Sequence, residues 1–159
     1  MPEVAVIGVG AVGTAAASAA EQAGRDVVIC ARSPVGGPVA LELDGEERRI
    51  EAPVICDVDE ARPVDWVLLA TKAQQTPQAG PWLARLCHPD TVVVVLQNGV
   101  DHVERVPPLA DGATVLPALI YVAVERVAQG RVVHRRGRRV VLPAGWASCA
   151  MRRSVSLLG

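Results

Sequence analysis

A glycine-rich hexapeptide near the amino terminus constrains the fold of this chain more than any other feature. The segment 8–13 reads GVGAVG, follows the apolar run Val4–Ile7 and precedes an alanine-rich stretch at 14–23. Gly24 is placed to end a helix, and a second apolar run follows at 27–31. Continuous apolar runs are typical of parallel strands covered on both faces, and alanine favours helix. The pattern predicts a strand–helix–strand unit.

Each glycine of the hexapeptide has a physical reason to be there. Gly8 permits a tight turn from strand to helix, Gly10 lets the backbone approach a pyrophosphate, and Gly13 lets the helix pack closely on the strand. The helix amino terminus then presents unpaired N–H groups to the phosphates. The alternative is a glycine-rich turn that binds nothing. We predict dinucleotide binding along the whole segment: Gly8, Val9, Gly10, Ala11, Val12 and Gly13.

The rest of the chain alternates between strand and helix patterns. Apolar runs at 65–70 and 91–96 are predicted strands, and 77–87 and 101–106 have helical patterns. This alternation predicts an α/β fold with a doubly wound, mostly parallel, Rossmann-like sheet. Trp82, Leu83 and Leu86 should form the inward face of the longer helix.

Two segments depart from this alternation. Residues 34–56 predict an excursion with a hairpin, because Asp44-Gly45 favours a tight turn between alternating apolar residues. Later, 131–134 and 140–142 flank the arginine run at 135–138, where Gly137 predicts a second hairpin turn. We therefore expect antiparallel strands at the carboxyl-terminal edge. The predicted domain covers 1–143, and 144–159 is either the start of a truncated region or a tail.

The end of the second predicted strand indicates the type of cofactor. An NAD site usually has Asp or Glu there to hold the ribose hydroxyls. This chain has Arg32-Ser33, with Arg32 nineteen residues after Gly13. A guanidinium can bind a 2′-phosphate that a carboxylate would repel. We predict NADP rather than NAD; the alternative is that Arg32 is a solvated loop cation.

Two further motifs follow predicted strands at positions where such sheets bind ligands. Lys72 follows the strand at 65–70, and Asn98 follows the strand at 91–96. Ligands bind beyond the carboxyl ends of parallel strands, so both side chains should face the same crevice. An amide at 98 can orient a substrate hydroxyl or a ribose, and an ammonium at 72 can offset negative charge. Alternatively, Lys72 is a surface amine and Asn98 a turn residue; for Asn98 the turn and the functional role are compatible.

These motifs together resemble a known family. They are GVGAVG at 8–13, Arg32, TKAQQT at 71–76, LQNGV at 96–100 and GRVVHRRGRRVVLP at 130–143. In order and spacing they are similar to ketopantoate reductase (2-dehydropantoate 2-reductase). The resemblance implies NADPH binding by 8–13, Arg32, Lys72 and Asn98, with Asn98 also touching the substrate. It also implies that the strand around Ala123 passes near the nicotinamide.

The resemblance further implies an activity that this sequence does not complete. Members reduce the C2 ketone of 2-dehydropantoate to pantoate, for pantothenate and coenzyme A synthesis, and carry a second, all-helical domain with the catalytic lysine. This sequence ends at Gly159, and its only lysine is Lys72. We expect no catalytic residue in it: the chain would be a partial member or work with a partner, binding cofactor but catalytically incomplete.

Other functions stay open at this stage. The chain could be a stand-alone NADP-binding module, or belong to a dehydrogenase for another small 2-keto acid. An apolar face left uncovered predicts a homo-oligomer or a missing helical domain.

Composition excludes several function classes. The 159 residues carry a formal net charge of −1, which argues against a nucleic-acid binder. No apolar run reaches the roughly 18–20 residues of a membrane span. No secretory signal is evident, so we expect a cytoplasmic protein. Its cysteines share no CxxC spacing, which predicts reduced thiols and no metal site: Cys30, Cys56, Cys87 and Cys149.

Overall fold

Two β-sheets enclose the first helix of the fold. The computed structural model describes residues 2–99 and 101–144. Its helices are α1 (Ala11–Gln22), α2 (Thr76–Leu86) and α3 (His102–Arg105), with 3₁₀ turns at Val58–Glu60, Ala73–Gln75 and Pro107–Leu109. Its strands are β1 (Val4–Ile7), β2 (Val27–Cys30), β3 (Ala40–Leu43), β4 (Glu46–Arg49), β5 (Val54–Ile55), β6 (Trp66–Leu69), β7 (Val92–Val95), β8 (Thr114–Pro117), β9 (Leu119–Ala128) and β10 (Arg131–Val141).

Six of these strands form the parallel sheet, in the order β5-β2-β1-β6-β7-β8. Each described pair in it is parallel. Strand residues alternate between two apolar layers: Ala5 and Ile7 face the layer that holds α2, and Val4 and Val6 face the layer that holds α1. Both faces are therefore buried, as the continuous apolar runs predicted, and the Rossmann-like α/β fold is confirmed.

Helix α1 begins earlier than the alanine-rich stretch suggested. It starts at Ala11, so the second half of the glycine segment is its first turn. Ala17 and Ala20 are buried, and these small side chains let the helix lie close to its neighbours. Gly24, with a φ of 74°, ends it as predicted.

The remaining four strands form the second sheet, in the order β4-β3-β10-β9. The β3–β4 hairpin is confirmed, and its turn residues Asp44 and Gly45 have φ values of 54° and 82°. Strand β10 runs parallel to β3 and antiparallel to β9. The antiparallel pairs thus lie in a separate mixed sheet that packs on α1, and not at the edge of the parallel sheet.

The hairpin expected at 135–138 is wrong. Strand β10 continues through the arginine run, and the turn to β9 falls at 129–130, where Gly130 has a φ of 74°. Gly137 has a φ of 78° because the ladder with β9 is irregular between His134 and Arg139. A glycine with positive φ serves a β-bulge as well as a turn, so sequence alone gave the wrong assignment.

The predicted inward face of α2 is buried, and so is the tryptophan of the apolar run at 65–70. Trp66, Trp82, Leu83 and Leu86 are each at most 7% exposed. Cys30, Cys56 and Cys87 are free thiols, whereas Cys149 lies outside the described residues. Burial raises the pKa of Cys30 to about 12; burial, with a smaller contribution from Asp111, raises that of Cys87 to about 11. Among the described residues, no helix is long and apolar enough to cross a membrane.

A pair of glycine substitutions tests the continuous β10 strand. A Cβ at Gly137 would lie 2.1 Å from the carbonyl oxygen of Tyr121, whereas a Cβ at Gly45 would meet nothing within 4 Å. Gly45→Ala should lose about 1–2 kcal/mol of unfolding free energy, the cost of left-handed backbone. Gly137→Ala should lose about 1–3 kcal/mol more through overpacking. Urea denaturation measures both, and equal losses would support an open turn at 137.

Candidate functional site

The carboxyl ends of four adjacent strands lie level at one edge of the parallel sheet. The Gly8 N–H donates to the carbonyl of Cys30 at 2.9 Å, and the Ala70 N–H donates to that of Ile7 at 3.0 Å. The Leu96 N–H donates to the carbonyl of Leu69 at 2.9 Å. The loops after β1, β2, β6 and β7 therefore start side by side. The chain order reverses around β1, which lies between β2 and β6, and ligands bind in the crevice at such a point.

The glycine loop has the three properties that dinucleotide binding requires. Gly8 has a φ of 108°, and a Cβ there would lie 3.2 Å from Thr71. A Cβ at Gly13 would lie 1.9 Å from the Gly8 carbonyl oxygen, so the helix touches the strand without a side chain between them. A Cβ at Gly10 would meet no atom within 4 Å. That open space is where a phosphate could approach the backbone.

The electrostatics at the start of α1 favour an anion. Gly10 is the N-cap, no side chain caps the helix, and its first turn contains no acidic residue. The first N–H groups of the twelve-residue helix are thus left for a ligand, with the positive end of the helix dipole behind them. The residues present fit the diphosphate of a dinucleotide.

Arg32 lies beyond the end of β2, as predicted. Ala31 is 2% exposed, whereas Arg32 and Ser33 are exposed. Within the described part of the chain, no acidic side chain forms an ion pair with Arg32. Its guanidinium is therefore available to an external anion.

Lys72 and Asn98 both project from the same edge. Lys72 is exposed and precedes the 3₁₀ turn Ala73–Gln75, in which its carbonyl accepts from Gln75 N at 2.8 Å. Asn98 is exposed between the buried Gln97 and Gly99, whose φ of 131° requires glycine. The structure thus brings the glycine loop, Arg32, Lys72 and Asn98 to adjacent loops.

Ala123 lies elsewhere, in the second sheet. It is half-buried on β9 and pairs with Arg136 of β10. Its approach to a nicotinamide stays a prediction.

A small apolar cavity of about 280 Å³ adjoins the turn after Asn98. Its lining includes Gly99, His102, Leu119 and Val141. His102 is 3% exposed, and among the described residues neither of its ring nitrogens has a hydrogen-bond partner.

Sequence reasoning missed a group of buried polar side chains beneath the exposed ones. Gln97 and Thr76 are 4% and 1% exposed, and Gln97 also contacts Thr71. The signal was present, because all three residues lie within TKAQQT and LQNGV. The sequence could not show which of these polar residues turn inward.

Fold and site define a Rossmann-like α/β protein in which the glycine loop, Arg32, Lys72 and Asn98 lie at one edge of the parallel sheet. A sequence profile described as Ketopantoate reductase PanE/ApbA matches residues 4–145. The chain is 41% identical over 147 residues to a 2-dehydropantoate 2-reductase of Mycobacterium tuberculosis, covering 91% of this chain and 50% of that protein. It is 37% identical over 148 residues to one from Caulobacter vibrioides, covering 91% and 50%. The chain belongs to the ketopantoate reductase family.

A solved structure agrees with this assignment. The PanE/ApbA family ketopantoate reductase from Ralstonia eutropha superposes with a TM-score of 0.80 at 27% identity, over 93% of this chain and 52% of that one. The chain thus spans about half the length of the relatives it matches, and it corresponds to their amino-terminal domain.

Two glycines of the loop should respond differently to alanine. Gly13→Ala should cost about 3 kcal/mol or more of unfolding free energy, because backbone oxygen occupies the methyl position. Gly10→Ala should cost less than about 1 kcal/mol, the scale of an N-cap change, yet weaken dinucleotide binding by placing a methyl in the open space. Urea denaturation and ligand titration separate the two effects. Unchanged binding in Gly10→Ala would argue against phosphates at this position.

Proposed function

We propose that this chain is the NADP-binding domain of an oxidoreductase that reduces 2-dehydropantoate to pantoate. The observation that carries the proposal is the open space beside the Gly10 backbone, at the same sheet edge as the loops of Lys72 and Asn98. The chain that carries it belongs to the ketopantoate reductase family. NADPH, when bound, supplies the hydride for the C2 ketone. The protein contributes binding, orientation and electrostatics.

The choice of NADP over NAD rests on Arg32. A planar guanidinium can donate two hydrogen bonds to a 2′-phosphate, and Ser33 can add a third from its hydroxyl. Among the described residues, no acidic side chain forms an ion pair that would offset the charge of Arg32. An anionic 2′-phosphate would compensate it.

Each remaining residue of the crevice has a role in this proposal. The N–H groups of 11–13 bind the diphosphate. Lys72 offsets negative charge on the cofactor. Asn98 orients the nicotinamide ribose or the substrate hydroxyl through its amide, and Ala123 lies near the nicotinamide. The keto acid is the small-molecule partner of the site.

The proton donor is the part that these residues do not supply. Lys72 is the only lysine of the sequence, and its place in the proposal is beside the cofactor. The chain spans half of its relatives, so we propose that the group protonating the new alkoxide belongs to a helical domain outside these residues.

The surroundings of the site bear on other partners. The exposed apolar residues Leu119 and Val141 are paired across β9 and β10, and they suit a homo-oligomer contact or a contact with a further domain. Nucleic acid is not a proposed partner, because arginines of the second sheet are paired with carboxylates, as Arg135 is with Glu125 at 2.8 Å. The free thiols suit the reducing cytoplasm, our proposed location.

Arg32→Ala tests the cofactor choice. NADPH affinity should fall by roughly 1–3 kcal/mol, the scale of hydrogen bonds to a charged group, while NADH affinity stays nearly unchanged. Fluorescence titration of both cofactors measures the difference. Arg126→Ala, an exposed arginine of the second sheet, is the matched control and should alter neither. Equal losses of affinity for NADPH and NADH would contradict the assignment of Arg32 to the 2′-phosphate.

Turnover by the isolated chain tests whether these residues support catalysis or only cofactor binding. General acid–base catalysis contributes about 10²–10⁴-fold, so the chain should bind NADPH yet reduce 2-dehydropantoate at least ~10³-fold more slowly than a full-length relative. Loss of NADPH absorbance measures the rate, with the full-length enzyme as the control. A kcat of about 1–10 s⁻¹ from this chain, ordinary for an enzyme, would refute the claim that the proton donor lies elsewhere.

A further inference from the structure

The side chain of Gln97 bridges two loops of the crevice from below. Its Nε2 donates to Thr71 Oγ1 at 2.9 Å, and its Oε1 lies 3.2 Å from Thr76 Oγ1. Thr71 immediately precedes Lys72, and Thr76 starts α2 after the turn that follows Lys72. Gln97 itself immediately precedes Asn98. One buried amide therefore ties both ends of the Lys72 turn to the strand end that carries Asn98.

The Thr76 hydroxyl has two acceptors within reach. Thr76 has one hydroxyl proton, and the Ala73 carbonyl is its closer acceptor, at 2.8 Å against 3.2 Å for Gln97 Oε1. If the Thr76 hydroxyl donates to Gln97 Oε1, the amide bridges both threonines as it stands. If that hydroxyl donates to the Ala73 carbonyl, the amide bridges them with its two ends exchanged, because Nε2 then donates to Thr76 Oγ1 and the Thr71 hydroxyl donates to Oε1. A side chain with only apolar atoms at 97 could do neither.

A second link joins the same two loops. Arg105 Nη1 donates to the Ala73 carbonyl at 3.3 Å, and its Nη2 donates to Asp101 Oδ1 at 2.6 Å. Arg105 therefore ties the Lys72 turn to the start of α3, three residues beyond Asn98. Gln97 contacts two threonine hydroxyls and Arg105 contacts a backbone carbonyl, so neither link uses the side chain of Lys72 or Asn98.

We propose that Gln97 is a positioning residue, which fixes the Lys72 turn against the Asn98 turn so that both side chains meet the dinucleotide at a set spacing. This inference rests on the proposed function, because it takes NADPH as the ligand. Binding geometry is held best by side chains that are themselves locked by buried hydrogen bonds. Lys72 and Asn98 are exposed, so that support comes from Gln97, Thr71 and Thr76.

Gln97→Met tests this role, because Met keeps the length of the side chain and removes its donor and acceptors. NADPH should bind roughly tenfold more weakly, within the range by which residues touching no ligand alter coupling between sites. The matched control is Thr91→Val. Thr91 is fully buried just before the other end of β7 and donates to the Val64 carbonyl at 2.7 Å. Both variants should lose stability, but only Gln97→Met should lose NADPH affinity.

A double-mutant cycle separates positioning from general destabilisation. Lys72→Met and Arg32→Ala are each combined with Gln97→Met, and NADPH dissociation constants are measured by fluorescence. The effect of Lys72→Met should shrink severalfold in the Gln97→Met background, whereas the effect of Arg32→Ala should stay the same. A purely structural role would alter both effects alike.

Conservative exchange at Thr76 supplies a third readout. Thr76→Ser should bind NADPH like wild type, and Thr76→Val should not.

The outcomes distinguish the two proposals. If the wild-type chain binds NADPH and Gln97→Met binds it within twofold, the positioning role is overturned and the proposed function stands. If the wild-type chain binds no NADPH, the proposed function fails and this inference fails with it. If Gln97→Met does not fold, the comparison of Thr76→Ser with Thr76→Val decides in its place, and equal affinities would overturn the role.

Discussion

Backbone contact between α1 and β1 is the constraint on which the rest of the architecture depends. A methyl at Gly13 would lie 1.9 Å from the Gly8 carbonyl oxygen, so no side chain fits between helix and strand there. The helix then continues with Ala17 and Ala20 buried, which keeps it close to its neighbours over its whole length. It contacts β1, β2 and β6 of the parallel sheet on one side and β3, β9 and β10 of the second sheet on the other. A larger residue at 13 would displace the glycine loop and both packing layers together.

The distribution of polar groups follows from the same arrangement. Both layers around the parallel sheet are apolar, and burying an unpaired polar group in them costs free energy. Three of the few buried polar residues, Thr76, Gln97 and His102, nevertheless lie by the loops at the carboxyl edge. Gln97 donates to the Thr71 hydroxyl there, and the Thr76 hydroxyl has the Ala73 carbonyl and Gln97 Oε1 as acceptors. The fold thus has an apolar centre that sets strand order, and a polar layer at one edge that sets the spacing of the loops.

How much the sequence predicts depends on how local each signal is. The unit β1–α1–β2 and the β3–β4 hairpin were predicted because glycines and apolar runs specify them over a few residues. Pairing of β10 with β3 joins residues 131–133 to residues 40–42, and no local pattern marks it. Gly137 led to the wrong prediction of a hairpin, because a β-bulge and a turn both use a glycine with positive φ. The edge with Arg32, Lys72 and Asn98 was predictable from strand ends alone. The inward orientation of the Gln97 side chain was not, because it depends on a contact with Thr71, 26 residues away.

The geometry also separates cofactor binding from chemistry. A dinucleotide needs phosphate-binding amides, a cation at the ribose and fixed polar groups along its length, and level strand ends bring all of these to one edge of one sheet. Backbone hydrogen bonds between adjacent strands align the strand ends, so the loops of the proposed binding edge start side by side once the sheet has formed. A keto acid must instead be enclosed against the exposed side of the cofactor, where a proton donor and water exclusion are required. In the proposed function, those elements approach from across the crevice, beyond the four loops. Cofactor affinity would then be set by the residues of this sheet edge, and the rate of reduction by the groups that enclose the keto acid.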